Sequence, residues 1–136
     1  MSTIERRQFE RFGVIPAYTA CRARVQSEDV FRFDGHVHDL SEGGVRFEAD
    51  IPIDPGTPIA LEIELPERYG DTWVNRREVD GFGRAVFVVG NVVWCRLDDC
   101  GSALMAVAIT RFCHDGDRQR LIKRLTTGGF ARAISA

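Results

Sequence analysis

No run of about 18 consecutive apolar residues occurs in the 136-residue sequence, so nothing in it reads as a membrane-spanning helix. The apolar core of a secretory signal is also missing, because Glu5, Arg6 and Arg7 follow the first residues directly. Both absences point to the cytoplasm and away from membrane insertion. An overall basic excess is lacking too: the formal net charge is -2. Phosphate neutralisation along a polymer needs a basic surface, so a general nucleic-acid binder is disfavoured. The four cysteines form no C-x-x-C pair. A zinc site would have to gather Cys95, Cys100, Cys113 and His114, and the x4 spacing across a turn does not support one. The thiols of Cys21, Cys95, Cys100 and Cys113 therefore read as reduced, core or near-core small hydrophobes, with no metal. No phosphate-cradling G-x-x-x-x-G-K loop is present. His38, Asp39 and Ser41 lie close in sequence, but neighbouring strand residues point to opposite faces and build no triad. Enzymatic chemistry finds no support, and no catalytic residue is assigned.

What is present fits one compact domain. The chain is 44% hydrophobic, enough for one core at this length and too short for two ordinary domains. Residues 1–13 are polar and basic and read as a flexible N-terminal arm, where Ser2-x-x-Glu5 could cap a short helical turn. Charge is uneven, with Arg6, Arg7, Arg11, Arg22 and Arg24 against only Glu5 and Glu10 in the first 24 residues. A small anion would be drawn to that end. Residues 14–127 read as the folded domain, and residues 128–136 as a frayed tail.

Within the domain, alternating side chains predict strands from Ala17 to Val25 and from Val30 to His38, the latter with Phe31, Phe33 and Val37 on one face. A third strand, Val45 to Glu48, follows Gly43-Gly44. Ile59, Leu61, Ile63 and Leu65 alternate with Glu62 and Glu64 in the clearest half-buried strand, and Pro66 closes it. Glu67 to Arg77 reads as a polar loop, with Trp73 and Val74 as candidates to pack back on the barrel. Val79 to Val89 and Val92 to Arg96 are β-rich runs separated by Gly90-Asn91, either a tight turn or a bulge. Ser102 to Phe112 is the last strand. The period then changes, and Asp115 or Asp117 can cap a helix whose stripe is Leu121, Ile122 and Leu125, stopped by Gly128-Gly129. Many short strands and one terminal helix predict a small antiparallel β-barrel plugged or flanked by a C-terminal α-helix.

Two clusters carry chemistry: Arg6-Arg7-x-x-x-Arg11, and Asp39-x-Ser41-x-x-Gly44 at the hairpin after the second strand. Guanine presents N7 and O6 acceptors on one edge, which an arginine fork matches in two parallel hydrogen bonds. Its N1 and N2 donors suit a carboxylate such as Asp39. Adenine fits neither contact. Further arginines on an arm can hold phosphodiester groups. Gly43 and Gly44 permit close approach of a ligand to the backbone.

This ordered pair of motifs resembles the signature of PilZ domains, receptors for the second messenger cyclic di-GMP, over about Glu5 to Leu125. The resemblance implies a six-stranded β-barrel with a C-terminal helix. It also implies that Arg7 and Arg11, preceded by the extra arginine Arg6, hold phosphate and guanine from the arm. Asp39 and Ser41 would contact the nucleotide from the barrel, and Gly44 would keep the turn tight and open, with Gly43 also common in the family. An arginine at the Arg6 position is associated in the family with an intercalated ligand pair, which leans the reading towards two ligands per chain. Arg46, on the next strand, either faces the nucleotide or merely solubilises the barrel. Ala106 or Ala108 stands where the family often has glycine, and the Glu67 to Arg84 segment is long and polar. These departures bear on the late strands.

The function expected is a stand-alone cyclic di-GMP receptor, a monomer or weak dimer, that signals to an unidentified effector protein when ligand pins the arm. The alternative is a degenerate PilZ-like interaction module that does not bind nucleotide. Each residue also has a plainer reading. Arg6, Arg7 and Arg11 could pair with Glu5 and Glu10 as a solvated run. Asp39 and Ser41 could cap a turn. His36, His38 and His114 read as surface histidines, and Trp73 and Trp94 as core or partner-contact residues.

Overall fold

The computed structural model describes residues 11–13, 19–69, 72–75 and 85–127, with side chains throughout except in the segments 66–69 and 72–75 and at Thr127. The strands are β1 (Phe12–Gly13), β2 (Ala20–Val25), β3 (Phe33–Leu40), β4 (Gly44–Ala49), β5 (Pro58–Ile63), β6 (Pro66–Tyr69), β7 (Thr72–Asn75), β8 (Val86–Leu97) and β9 (Ala103–Phe112). One helix, α1 (Asp117–Thr127), follows. Six strands pair in the order β3-β2-β5-β8-β9-β4, and β4 returns to β3, so the antiparallel sheet closes on itself. Closure leaves no long free edge at the β3–β4 seam, where an open sheet would expose unpaired backbone. The expected six-stranded barrel with a C-terminal helix is therefore what the chain forms.

Inward positions follow the pleat. Ile59, Leu61 and Ile63 of β5, Val45 and Phe47 of β4, and Met105 and Val107 of β9 meet in one core, which Leu121 and Leu125 of α1 join. The outward Glu62 is nevertheless buried, because Arg22 stands opposite it on β2 and covers it with an ion pair. Asp117, in the first turn of α1, accepts the Phe87 backbone N–H at 3.2 Å and pairs with Arg120 at 3.1 Å. A single carboxylate thus ties the helix start to β8, at the helix end that favours negative charge.

Several local expectations change. Strand β3 begins at Phe33 because residues 26–32 form a loop held by Arg24, which donates to the carbonyls of Gln26 and Glu28. Phe31 is consequently outside the core, half-buried beneath the guanidinium groups of Arg22 and Arg24. The polar segment after Pro66 is not simply a loop: β6 and β7 form a separate two-stranded hairpin. The side chains of Trp73 and Val74 lie outside the described residues. Gly90-Asn91 is no turn. It lies inside β8, where the register with β9 shifts between Val89 and Gly90 and again between Val92 and Trp94. Residues 1–10, 14–18, 70–71, 76–84 and 128–136 also lie outside the described residues, and with them the capping box at Ser2 and the tail.

The cysteines divide in a way the sequence did not suggest. All four are free thiols, but only Cys21 is buried; Cys95 is half-buried, and Cys100 and Cys113 are exposed because they fall in the β8–β9 turn and just beyond β9. Burial first, and the Asp34 carboxylate second, push the Cys21 thiol up from 9.0 to about 12. Only thiolates are strong nucleophiles, so Cys100 and Cys113 should titrate quickly with a disulfide reagent in native protein and Cys21 only after unfolding. Four fast thiols would show that β2 opens readily. An unfolded Cys21 ionises near pH 9 while the folded one stays protonated, so its contribution to stability is full below pH 9 and declines as pH climbs towards 12.

Candidate functional site

The site depends on an interruption of the β3 pleat. Phe33 and Val37 are buried and Asp34 and His36 exposed, so uninterrupted alternation would turn Asp39 inward. The β3–β4 register instead shifts between Val37 and Asp39. One extra residue, His38, reverses the faces beyond it, as a bulge does. Leu40 enters the core, and Asp39 joins the outward face directly opposite Arg46.

Two guanidinium groups then meet one carboxylate. Arg46 Nη2 lies 2.7 Å from Asp39 Oδ2. From the other flank, β1 lays Phe12 beside Leu40 and Gly13 beside Asp39. Phe12 is buried in the core, which anchors β1 and sets Arg11 Nη1 3.7 Å from Asp39 Oδ1. The Asp39 residue is 3% exposed beneath these two arginines. The sequence pattern places Phe12 in a flexible arm, since two strand residues give no periodicity. A lone phenylalanine between Arg11 and Gly13 was the only signal.

The adjoining turn is Ser41 to Gly44. Ser41 Oγ accepts the Gly43 and Gly44 backbone N–H groups at 3.2 and 3.1 Å, and the Ser41 N–H donates to the Gly44 carbonyl at 2.9 Å. Ser41 therefore does cap its turn. Two outside ties fix the same turn: the Gly43 carbonyl accepts from Ile109 N–H at 3.0 Å, and Glu42 accepts from Arg118 of α1 at 2.7 Å. The Glu42–Arg118 link spans 76 residues and was not foreseen. A Cβ on Gly44 would sit 3.1 Å from the Val107 carbonyl oxygen, so the turn approaches β9 closely.

Of the eight candidate residues, the structure brings Arg11, Asp39 and Arg46 into contact and sets Ser41, Gly43 and Gly44 in the next turn. Arg6 and Arg7 lie outside the described residues. His38 pairs with Glu48 at 2.9 Å, and the His114 ring packs edge-on against Phe87. Trp94 is half-buried, with the Arg96 guanidinium 5.1 Å from its ring centre. No cluster of three or more metal-ligating side chains occurs among the described residues.

A larger hollow of about 760 Å³ lies elsewhere on the outer face of β2 to β5, lined by Asp34, Glu48, Asp50, Glu62 and Glu64 among others. That lining has the wrong sign for a phosphodiester, and it includes neither Asp39 nor Ser41. The Arg11–Asp39–Arg46 group is the better candidate, because charge and donor geometry select a nucleotide where volume alone does not.

The chain belongs to the PilZ family: the PilZ domain model matches residues 5–128. PilZ domains are non-catalytic receptors of the cyclic di-GMP class. Among solved structures, the chain is similar to the Bacillus subtilis inhibitor of motility MotI/DgrA, with TM-score 0.60 and 18% identity. That match covers 88% of this chain and 49% of the other, so the chain spans about half the length of that protein. It is also similar to the PilZ domain of YcgR from Escherichia coli with c-di-GMP, with TM-score 0.59, 12% identity, and coverage of 90% and 91%. At these identities the structural likeness speaks to the fold. No curated protein matches the sequence. No helix among the described residues is long and apolar enough to cross a membrane.

Proposed function

We propose that this PilZ domain is a cyclic di-GMP receptor whose ligand contacts come from Arg6, Arg7, Arg11, Asp39, Ser41, Gly43 and Gly44, with Arg46 in the same cluster. One observation carries the reading: Arg11, from the first motif, lies 3.7 Å from Asp39, from the second, although 28 positions separate them in sequence. Asp39 accepts the N1 and N2 donors of a guanine, and the arginines take its N7–O6 edge and the phosphates. An extended chain advances at most about 3.6 Å per residue, so Arg7 stays within about 14 Å of Arg11 whatever its path. That is short enough for both arginines to serve one ligand. The solved YcgR domain with c-di-GMP supports the ligand class.

Capture of ligand draws the segment ahead of β1 onto the barrel rim and changes the surface offered to an effector protein. Such a receptor works where the messenger is made, in the cytoplasm. Calorimetric titration with cyclic di-GMP tests the proposal. Binding at micromolar ligand or below is expected, weakening with salt, with a stoichiometry of two if Arg6 supports an intercalated pair. Cyclic di-AMP should give no heat. Absence of heat and of competition with cyclic di-GMP would leave a protein-interaction module instead.

A further inference from the structure

Asp39 is already engaged within the protein. Its Oδ2 is paired with the Arg46 guanidinium at 2.7 Å, while Arg11 stands farther off at 3.7 Å from Oδ1. The guanine edge that a carboxylate recognises is a planar pair of adjacent N–H donors. A guanidinium is the side-chain group most like it. Arg46 thus covers one of the two carboxylate oxygens that such a base edge would use.

The contact is also incomplete. Arg46 Nε is enclosed and has no hydrogen-bond acceptor among the described residues. An enclosed N–H without an acceptor destabilises the arrangement that holds it. Beside Arg46 opens a cavity of about 290 Å³, lined also by His38, Glu48, Arg96, Asp98 and Leu104. Glu48 and Asp98 bring carboxylates to that cavity. They already serve His38 and the backbone N–H groups of Cys100 and Ser102, but a carboxylate accepts several hydrogen bonds. Arg46 therefore has a second place to go, with acceptors in it.

We propose that Arg46 is a latch that occupies Asp39 in place of a guanine N–H donor and must swing into the neighbouring cavity before a guanine nucleotide is held. The inference rests on the cyclic di-GMP reading above and gives Arg46 a gating role in place of a ligand contact. It predicts an effect opposite in sign to that of losing a contact residue. Arg46→Met, which keeps an unbranched stem and removes every donor, should bind cyclic di-GMP about fivefold more tightly, the scale of one half-exposed ion pair. Arg46→Gln should tighten it as well, which keeps the test open if the methionine variant folds poorly. Leu104→Trp fills the receiving cavity without touching Asp39 and should weaken binding severalfold.

Calorimetry on the full chain, with thermal melts to verify folding, reads all three variants beside wild type and Asp39→Asn. Tighter binding in the Arg46 variants together with weaker binding in Leu104→Trp establishes the latch. If wild type binds and Asp39→Asn does not, but the Arg46 variants bind equally or more weakly, the latch is overturned and the receptor reading stands. If wild type itself does not bind, both fall.

Discussion

Asp39→Asn is expected to weaken cyclic di-GMP binding on the order of a hundredfold while leaving the barrel folded, as when one member of an enclosed charged pair is lost at an interface. The amide keeps the size of the side chain and one acceptor oxygen, so Arg46 at 2.7 Å retains a partner. What disappears is the second acceptor, replaced by an N–H₂ that opposes the guanine N–H donors. Recognition is lost while shape is preserved. Arg11→Ala should cost less, about tenfold, because Arg11 is half-exposed and acts partly through screened charge. It should also flatten the salt dependence. Calorimetry at two salt concentrations checks both variants. An Asp39→Asn protein that binds within threefold of wild type would remove Asp39 from the recognition of the base.

Gly90→Ala should lower stability by about 3 kcal/mol without altering a candidate ligand residue, although Ala108, which it would displace, pairs with Gly44 on β4. A Cβ at Gly90 would collide with the backbone carbonyl of Ala108 on β9, and backbone cannot turn aside as a side chain does. The position lies at a register shift in β8, inside the sheet, with β5 on its other side. Relief would require separating strands of a closed barrel. For a domain of this size the melting temperature should fall on the order of 10 °C. Gly35→Ala should behave similarly, since its Cβ would strike the Glu48 carbonyl on β4. Urea melts that showed less than about 1 kcal/mol of change would mean that the β8–β9 ladder yields locally.

The residues that announced the fold are those whose signal is local. Ile59, Leu61 and Ile63 alternate with polar or smaller neighbours, and a strand with that face inward follows from the pattern alone, although Ala60 and Glu62 on its other face are buried too. Leu121 and Leu125, four apart after an acidic start, specify the buried stripe of α1 in the same way. Phe12 had no such pattern to declare it. The β6–β7 hairpin was hidden by a polar composition that suits a loop equally well. Hydrophobic character alone groups Cys100 and Cys113 with the core, yet each falls past the end of a strand, where the chain leaves the interior.

Sequence alone determined the candidate chemistry: arginines, a carboxylate, a serine and glycines in an order that suits a guanine nucleotide, on a chain patterned for a small barrel. Only the tertiary structure decided that Asp39 faces outward, because its direction depends on a bulge at His38, and a bulge is a property of two strands in register and not of either one. The same holds for the meeting of Arg11 with Asp39, which needs Phe12 to find a buried place beside Leu40. Side-chain alternation is written along the chain, whereas pairing across it is settled by which non-local arrangement buries the most apolar surface with its backbone groups satisfied.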